Sequence, residues 1–415
     1  MKENELIPHL FRTEYRKIVS VLCKLFGISY IEIAEDIVSD TFLLASETWG
    51  LKGLPQNPTA WLYTVSKNKA LDVLKRKSVY DQKIAPELRR SGTATTETDI
   101  DLSGKNIIDS QLQMMFAICN PCITVEAQVG LSLNILCGFG AEEIADAFLS
   151  NKDTIYKRLS RSKEKLKSEN IKIEFPPELE INKRIETVLT TLYLLFNEGY
   201  YSSSQNINLR KDLCLEAMRL MLMLVENEQT NIPQANALLA LMCFHASRFE
   251  ARTDQRGELV LYEEQDESLW NNELIQKGEE YLNKASTGTK VSKYHLEAAI
   301  AYWHTQKKDT VEKWENILQL YNKLLVLEYS PIVALNRTYA LSKANGKQEA
   351  ITEAEKLDLK NYYLYHSLLG ELYKDIDPQK AIQHLKTALK LVKTDKEKTI
   401  IVNNLNRIGS FGGNA

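Results

Sequence analysis

The chain has 415 residues, 44% of them hydrophobic and 26% charged, with only 17 glycines and 10 prolines. That composition excludes a mainly disordered or fibrous chain and suits two to four helix-leaning globular domains of roughly 100–200 residues each. A net charge of −3 excludes a globally basic nucleic-acid binder but leaves room for a locally basic helix face. No apolar run approaches the roughly 18 residues of a membrane span. The start MKENELIPHL lacks the basic-then-apolar pattern of a secretory signal, so a cytoplasmic protein with no membrane partner is expected. The six cysteines, Cys23, Cys119, Cys122, Cys137, Cys214 and Cys243, are scattered in mostly apolar surroundings and read as buried thiols.

From Leu6 to about Lys77 apolar residues recur at three- and four-residue steps, as in Tyr15, Ile18, Leu22, Leu25 and then Ala34, Ile37, Val38, Thr41, Leu44, Ala45. This is the spacing of amphipathic helices. Gly53, Pro55 and Pro58 interrupt them with a loop, Leu51 to Ala60, before helical period resumes over Trp61 to Lys77. Residues 78–109 lose the apolar pattern and gain Ser, Thr, Gly and acid, which predicts a flexible linker between a domain 1–77 and a domain 110–170. The second domain is helical and ends in the basic run Lys152 to Lys167. A further linker, 171–182, carries Pro176-Pro177, and helical period then runs from about Lys183 almost to residue 415. With no strand pattern anywhere, an all-α protein is predicted.

The last segment repeats itself. Leu335, Asn336 and Tyr339 are echoed by Leu369, Gly370 and Tyr373, and the two tyrosines lie 34 residues apart, the period of a tetratricopeptide helix pair. Tyr302 precedes Tyr339 by a looser 37. Small residues at Ala381 and Ala388, with Leu385 between them, suit a close helix crossing. Tetratricopeptide-like repeats are therefore expected from about residue 290; an unrelated helical bundle with coincidental spacing is the alternative.

Residues 141–167, AEEIADAFLSNKDTIYKRLSRSKEKLK, have the shape of a helix-turn-helix, with Ile144, Ala145, Phe148, Ile155 and Leu159 facing inward. The turn lacks the usual glycine. On the second helix Lys152, Lys157, Arg158, Arg161, Lys163, Lys165 and Lys167 outnumber Asp153 and Glu164, so it can neutralise phosphates while its first turns reach base edges. A solvated basic helix face is the plainer reading. Trp61 to Lys77 is the other basic helix, with aromatics beside cations, a pairing that suits single-stranded DNA. Cys119-Asn120-Pro121-Cys122 is a lone C-x-x-C without a second pair, and no phosphate loop or H-E-x-x-H pattern exists, so no catalytic residue, metal or cofactor is expected.

In order and spacing, residues 6–170 resemble the extracytoplasmic-function class of bacterial RNA polymerase sigma factors. IAEDIVSDTFLLA (Ile33 to Ala45) is similar to the polymerase-binding helix of sigma domain two. NPTAWLYTVSKNKALDVLKRK (Asn57 to Lys77) is similar to that domain's promoter-melting segment, and Gly140 to Leu166 to the helix-turn-helix of domain four. TTLYLLFNEGYYSS (Thr190 to Ser203), LVLYEEQDESLW (Leu259 to Trp270) and SPIVALNRTYAL (Ser330 to Leu341) look like the C-terminal extension of a subgroup with a tetratricopeptide-like domain.

The resemblance implies that Glu35, Asp36, Asp40, Phe42 and Leu43 bind core RNA polymerase. It implies minus-ten contacts from Asn57, Trp61, Lys67, Asn68, Lys69, Lys75 and Arg76 on melted single strand, and minus-thirty-five contacts from Lys152, Asp153, Thr154, Lys157, Arg158 and Arg161 on duplex promoter DNA. Linker acids Glu97, Asp99 and Asp101 would lie in the RNA path of the polymerase, and the extension would regulate by holding a protein or peptide. The rival expectation is a helix-turn-helix regulator with a peptide-sensing repeat domain, which has no need of the segment 33–77.

Overall fold

The computed structural model describes residues 3–76, 100–148, 150–200, 210–254, 260, 262–392 and 395–411. Among these there is no β-strand, and the protein is all-α. The chain divides into two compact units, residues 1–198 with 226–230, and residues 199–225 with 231–415.

The first unit starts with α1 (Glu3–Phe26), α2 (Ile31–Lys52) and α3 (Pro58–Arg76). Ala34, Ile37, Val38, Thr41, Phe42, Ala45 and Trp49 form the buried stripe of α2, spaced as one face of a helix requires. Gly27 and Gly53 turn the chain at φ of 87° and 82°, a conformation that costs glycine little and other residues much. The Thr41 hydroxyl accepts from Ser66 at 3.2 Å and gives its own proton to the Ile37 carbonyl, so the polar contact buried between α2 and α3 is satisfied.

The next helix, α4 (Gly104–Ile118), begins inside the stretch expected to be linker. Ile100 is buried, and Ser103 caps the helix by accepting from the Asn106 amide, so residues 100–109 are folded. Of the linker acids, Glu97 and Asp99 lie outside the described residues; Asp101 accepts from the Ser103 amide at 2.8 Å, in the turn before α4. Cys119 closes α4, and Thr124 caps α5 (Val125–Leu131), which runs on into a π-helical turn at Ser132–Leu136. A short α6 (Ala141–Ala147), a turn, and a long α7 (Lys152–Ser168) follow.

These two stretches, expected as separate domains, pack together in one unit. α1 lies against α4, and α7 against α5 and the turn Ile28–Tyr30. Arg16 donates to the Cys137 carbonyl at 3.4 Å, and Lys24 to Asn106 at 3.1 Å. The unit also takes in α8 (Glu178–Tyr200) as far as Glu198. Thr191 donates to the buried Gln128 side chain at 3.1 Å, and Arg184 to the Phe116 carbonyl. The expected boundary at 171–182 therefore becomes a bend within a unit, because α8 supplies the acid-free apolar stripe Ile185, Val188, Leu189 and Leu192 to its core.

The second unit holds α9 (Lys211–Glu226), α10 (Pro233–Ala246), α11 (Asn272–Ala285), α12 (Lys293–Trp303) and α13 (Val311–Leu327). Then come α14 (Pro331–Ala344), α15 (Lys347–Ala354), α16 (Tyr363–Tyr373), α17 (Pro378–Leu391) and α18 (Asp395–Phe411). α10 is apolar on nearly every side and is buried on nearly every side, the centre of its unit. α11 comes close to it because Gly278 has no side chain: a Cβ there would stand 2.5 Å from the Phe244 ring. The same device brings α16 onto α17, where a Cβ on Gly370 would stand 2.6 Å from Leu385. Ala381, Leu385 and Ala388 are all buried on that crossing face.

Candidate polymerase and nucleic-acid interfaces

On α2 the residues expected to bind polymerase separate into two sets. Asp36 and Asp40 are exposed, and Leu43 is 60% exposed beside an exposed Leu44, which leaves an acidic and apolar strip open to solvent. Phe42 belongs to the core instead. It is 4% exposed and packs edge-on to Phe11, 5.1 Å between ring centres, so it positions the strip without touching a partner. Glu35 is half-buried, and Lys163 of α7 donates to both its carboxylate oxygens at 2.8 Å. Beside it the Tyr15 hydroxyl, pushed up to about 12 chiefly by burial, lies 3.4 Å from the Glu35 carbonyl.

Of the expected loop 51–60, residues 51–52 end α2 and 58–60 begin α3, so the connection is 53–57. Leu51 at the end of α2 and Leu54 in the connection are exposed, followed by Asn57. Asn57 is committed to capping: its side-chain oxygen accepts from the Ala60 amide at 3.0 Å, satisfying a donor that the helix start leaves open. Trp61 is half-buried and lies edge-on to Trp49 at 5.4 Å, so it forms a wall of the loop rather than an open stacking platform. Along α3, Asn68 is exposed and Lys67 half-buried, and Lys69 lies 3.5 Å from Asp40 across the helix pair. Lys75 and Arg76 close the helix, but their side chains lie outside the described residues. Tyr63 ties α3 to α1 by donating to the buried Glu14 at 2.6 Å.

On α7 the inward residues are Ile155, Leu159, Ser162 and Leu166, one face at helical spacing. Asn151 caps the helix through the Thr154 amide at 2.8 Å, which fixes the start of the basic helix against the turn. Asp153, Lys157 and Arg161 are exposed and Arg158 is half-buried. Lys152, also exposed, reaches Glu142 of α6 at 3.2 Å, a surface pair worth at most about 1 kcal/mol. Two residues on this face escaped the sequence reading. Tyr156 is 68% exposed between Ile155 and Lys157, a signal visible in sequence as an aromatic off the apolar stripe. In sequence Lys163 reads as one more cation, and its bond to Glu35 has no signal there because 128 residues separate the two.

Residues 10–79, which carry α1 to α3, match Sigma-70 region 2, and residues 184–286 match a family of unknown function, DUF6596. An uncharacterized protein of Rhizobium meliloti (strain 1021) is 32% identical over 351 residues, 83% of this chain and 82% of that protein. No solved structure matches. The class follows from the match on α1 to α3: Sigma-70 region 2 supports a sigma-70 family factor with a role in transcription initiation, a role that implies binding core RNA polymerase and promoter DNA. Within that class the chain belongs to one family with the Rhizobium meliloti protein, and its DUF6596 segment extends it beyond the sigma part. Among the described residues no helix is long and apolar enough to cross a membrane.

Proposed function

We propose that the protein is a cytoplasmic sigma factor of the extracytoplasmic-function type, directing core polymerase to specific promoters. The observation that carries this reading is the order of parts in one chain: the sigma region 2 match on α1 to α3, then a short helix, a turn and the basic α7. In this reading α2 offers Asp36, Asp40 and Leu43 to a basic polymerase surface. The connection 53–57 with the helix ends beside it takes up a minus-ten base, and the cations of α3 hold the melted strand. α6 and α7 act as a helix-turn-helix whose Lys157, Arg158 and Arg161 meet the minus-thirty-five element, with Tyr156 added to that face. The helix pairs of the C-terminal unit are tetratricopeptide-like and regulate initiation by holding a protein or peptide segment.

The regulator alternative gains nothing from an acidic helix followed by a melting segment, and the region 2 match covers both. The test is transcription in vitro by the full chain with purified core polymerase on a promoter library. Promoter-specific transcripts are expected, and a combined charge reversal of Asp36 and Asp40 should abolish them by weakening polymerase capture. DNA binding without any polymerase-dependent transcript would favour the regulator.

A further inference from the structure

The connection between α10 and α11 and the start of α13 bring two cations to one tyrosine ring and pair neither with an acid. Arg248 is 7% exposed; its guanidinium lies 5.2 Å from the centre of the Tyr262 ring, one Nη is 3.5 Å from the Tyr200 hydroxyl, and its buried Nε–H has no acceptor. Lys313 is 2% exposed and reaches the rim of the same ring, donating to the Tyr262 hydroxyl at 3.1 Å and the Gln306 carbonyl at 3.0 Å. Neither makes an ion pair among the described residues. Trp270 stacks on Tyr262 with ring centres 6.4 Å apart, is 5% exposed, and its indole N–H has no acceptor. His304 stands edge-on to Tyr262 at 5.0 Å with its buried Nδ1 unpartnered.

Buried charges are ordinarily paired, and buried donors ordinarily bonded, because each loses its hydration without return. Here a guanidinium, an ammonium, an indole N–H and an imidazole surround one ring with that account open. The acids that face the cluster are Asp309 and Glu267. Asp309 accepts from the Trp314 indole N–H, and neither acid is paired with Arg248 or Lys313. Glu263, nearby, is taken up by Lys343 at 2.7 Å and Tyr339 at 2.6 Å. Burial, reinforced by Arg248 and Lys313, holds His304 near 3, so its ring is neutral and able to hydrogen-bond without adding charge.

We propose that this cluster binds a phosphate group, with Arg248 supplying the guanidinium fork, Lys313 the second charge, and Trp270 and His304 further hydrogen bonds. A tetrahedral oxyanion of about two negative charges answers two cations and accepts from several directions at once. Two sources share this chemistry, free phosphate and the phosphate ester of a small molecule. The site lies in the C-terminal unit and is read by binding alone, so it stands or falls independently of the sigma reading.

The experiment is calorimetric titration of the full chain with inorganic phosphate and, separately, glycerol 3-phosphate, against sodium chloride at matched ionic strength. Saturable binding of at least one phosphate probe and none of chloride is expected; preference for one probe assigns the source. Arg248→Gln should weaken it at least tenfold. Trp270→Phe removes the N–H together with part of the indole ring, keeps an aromatic face toward Tyr262 in a chain that still folds at some cost in stability, and should weaken binding a few-fold, so the test survives if the arginine variant fails to fold. No saturable binding of either probe, or affinity unchanged in Trp270→Phe and in any folded Arg248→Gln, overturns the site and leaves the cations as packing around Tyr262.

Discussion

Charge is handled differently on the proposed contact helices of the first unit and around Tyr262 in the second. In the first, charges on the helices proposed to meet polymerase and DNA already hold one another: Glu35 with Lys163 at 2.8 Å, Asp40 with Lys69 at 3.5 Å, Glu142 with Lys152 at 3.2 Å. These pairs are half-buried or exposed, so exchanging a protein partner for polymerase or phosphate costs little. In the second unit Arg248 and Lys313 are buried with no acid paired to them. A surface that must release its partners keeps them near water, whereas buried cations mark a place where something else completes the structure.

The largest effect comes from breaking one unit alone. Leu22, fully buried on α1, should cost about 2–5 kcal/mol when changed to Ala, a cavity in the first unit only. Denaturant unfolding followed by hydrogen exchange should show faster exchange over residues 3–198 and unchanged exchange over 231–392.

Acid should then break the other. His304 is held near 3 and His245 well below its ordinary value, both first by burial and then by Arg248, with Lys313 adding for the one and Arg252 for the other. Both bind protons more readily unfolded, so their contribution to stability is full above about pH 6.5 and falls as pH drops through it. At pH 5 the loss for His304 is about 2 kcal/mol relative to pH 7, on the order of 1.4 kcal/mol per unit. The thermal transition of the second unit should move down between pH 7 and 5, and less so in His304→Gln.

Arg158→Ala should cost about 1–3 kcal/mol on a minus-thirty-five element if the side chain reads a base. Fluorescence anisotropy on cognate and scrambled duplexes checks this, and equal losses on both would reassign Arg158 to phosphate contact.

The smallest effect sharpens the comparison most. Lys163→Ala and Glu35→Gln should each cost on the order of 1 kcal/mol and couple in a double-mutant cycle, as a half-buried pair does. Lys163→Ala should also free the Glu35 carboxylate and raise polymerase affinity in a pull-down. An unchanged affinity would show that the pair does not compete with polymerase.

Much was legible because short-range physics suffices for it. Helical period and loop glycines placed α2, the turn at Gly53 and α3, and the basic face of α7 follows from residue order alone. Two of the expected site residues have surroundings that the sequence does not show. A face on a helix wheel says what is near in sequence, yet Phe42 faces Phe11 of α1 and Trp61 faces Trp49 of α2, contacts that only packing creates. Asn57 reads in sequence as a DNA contact, and the structure adds that its side-chain oxygen caps the first turn of α3.

The sequence by itself determined the helical fold class, the order of the segments and which helices are basic, since these depend on periodicity and composition within a few turns. Tertiary structure decided which charges meet. The bond from Lys163 to Glu35, the packing of α8 within the first unit through Thr191 and Gln128, and the cations around Tyr262 join residues 14 to 128 positions apart. Such contacts follow from how apolar faces are buried, and no local pattern along the chain encodes them.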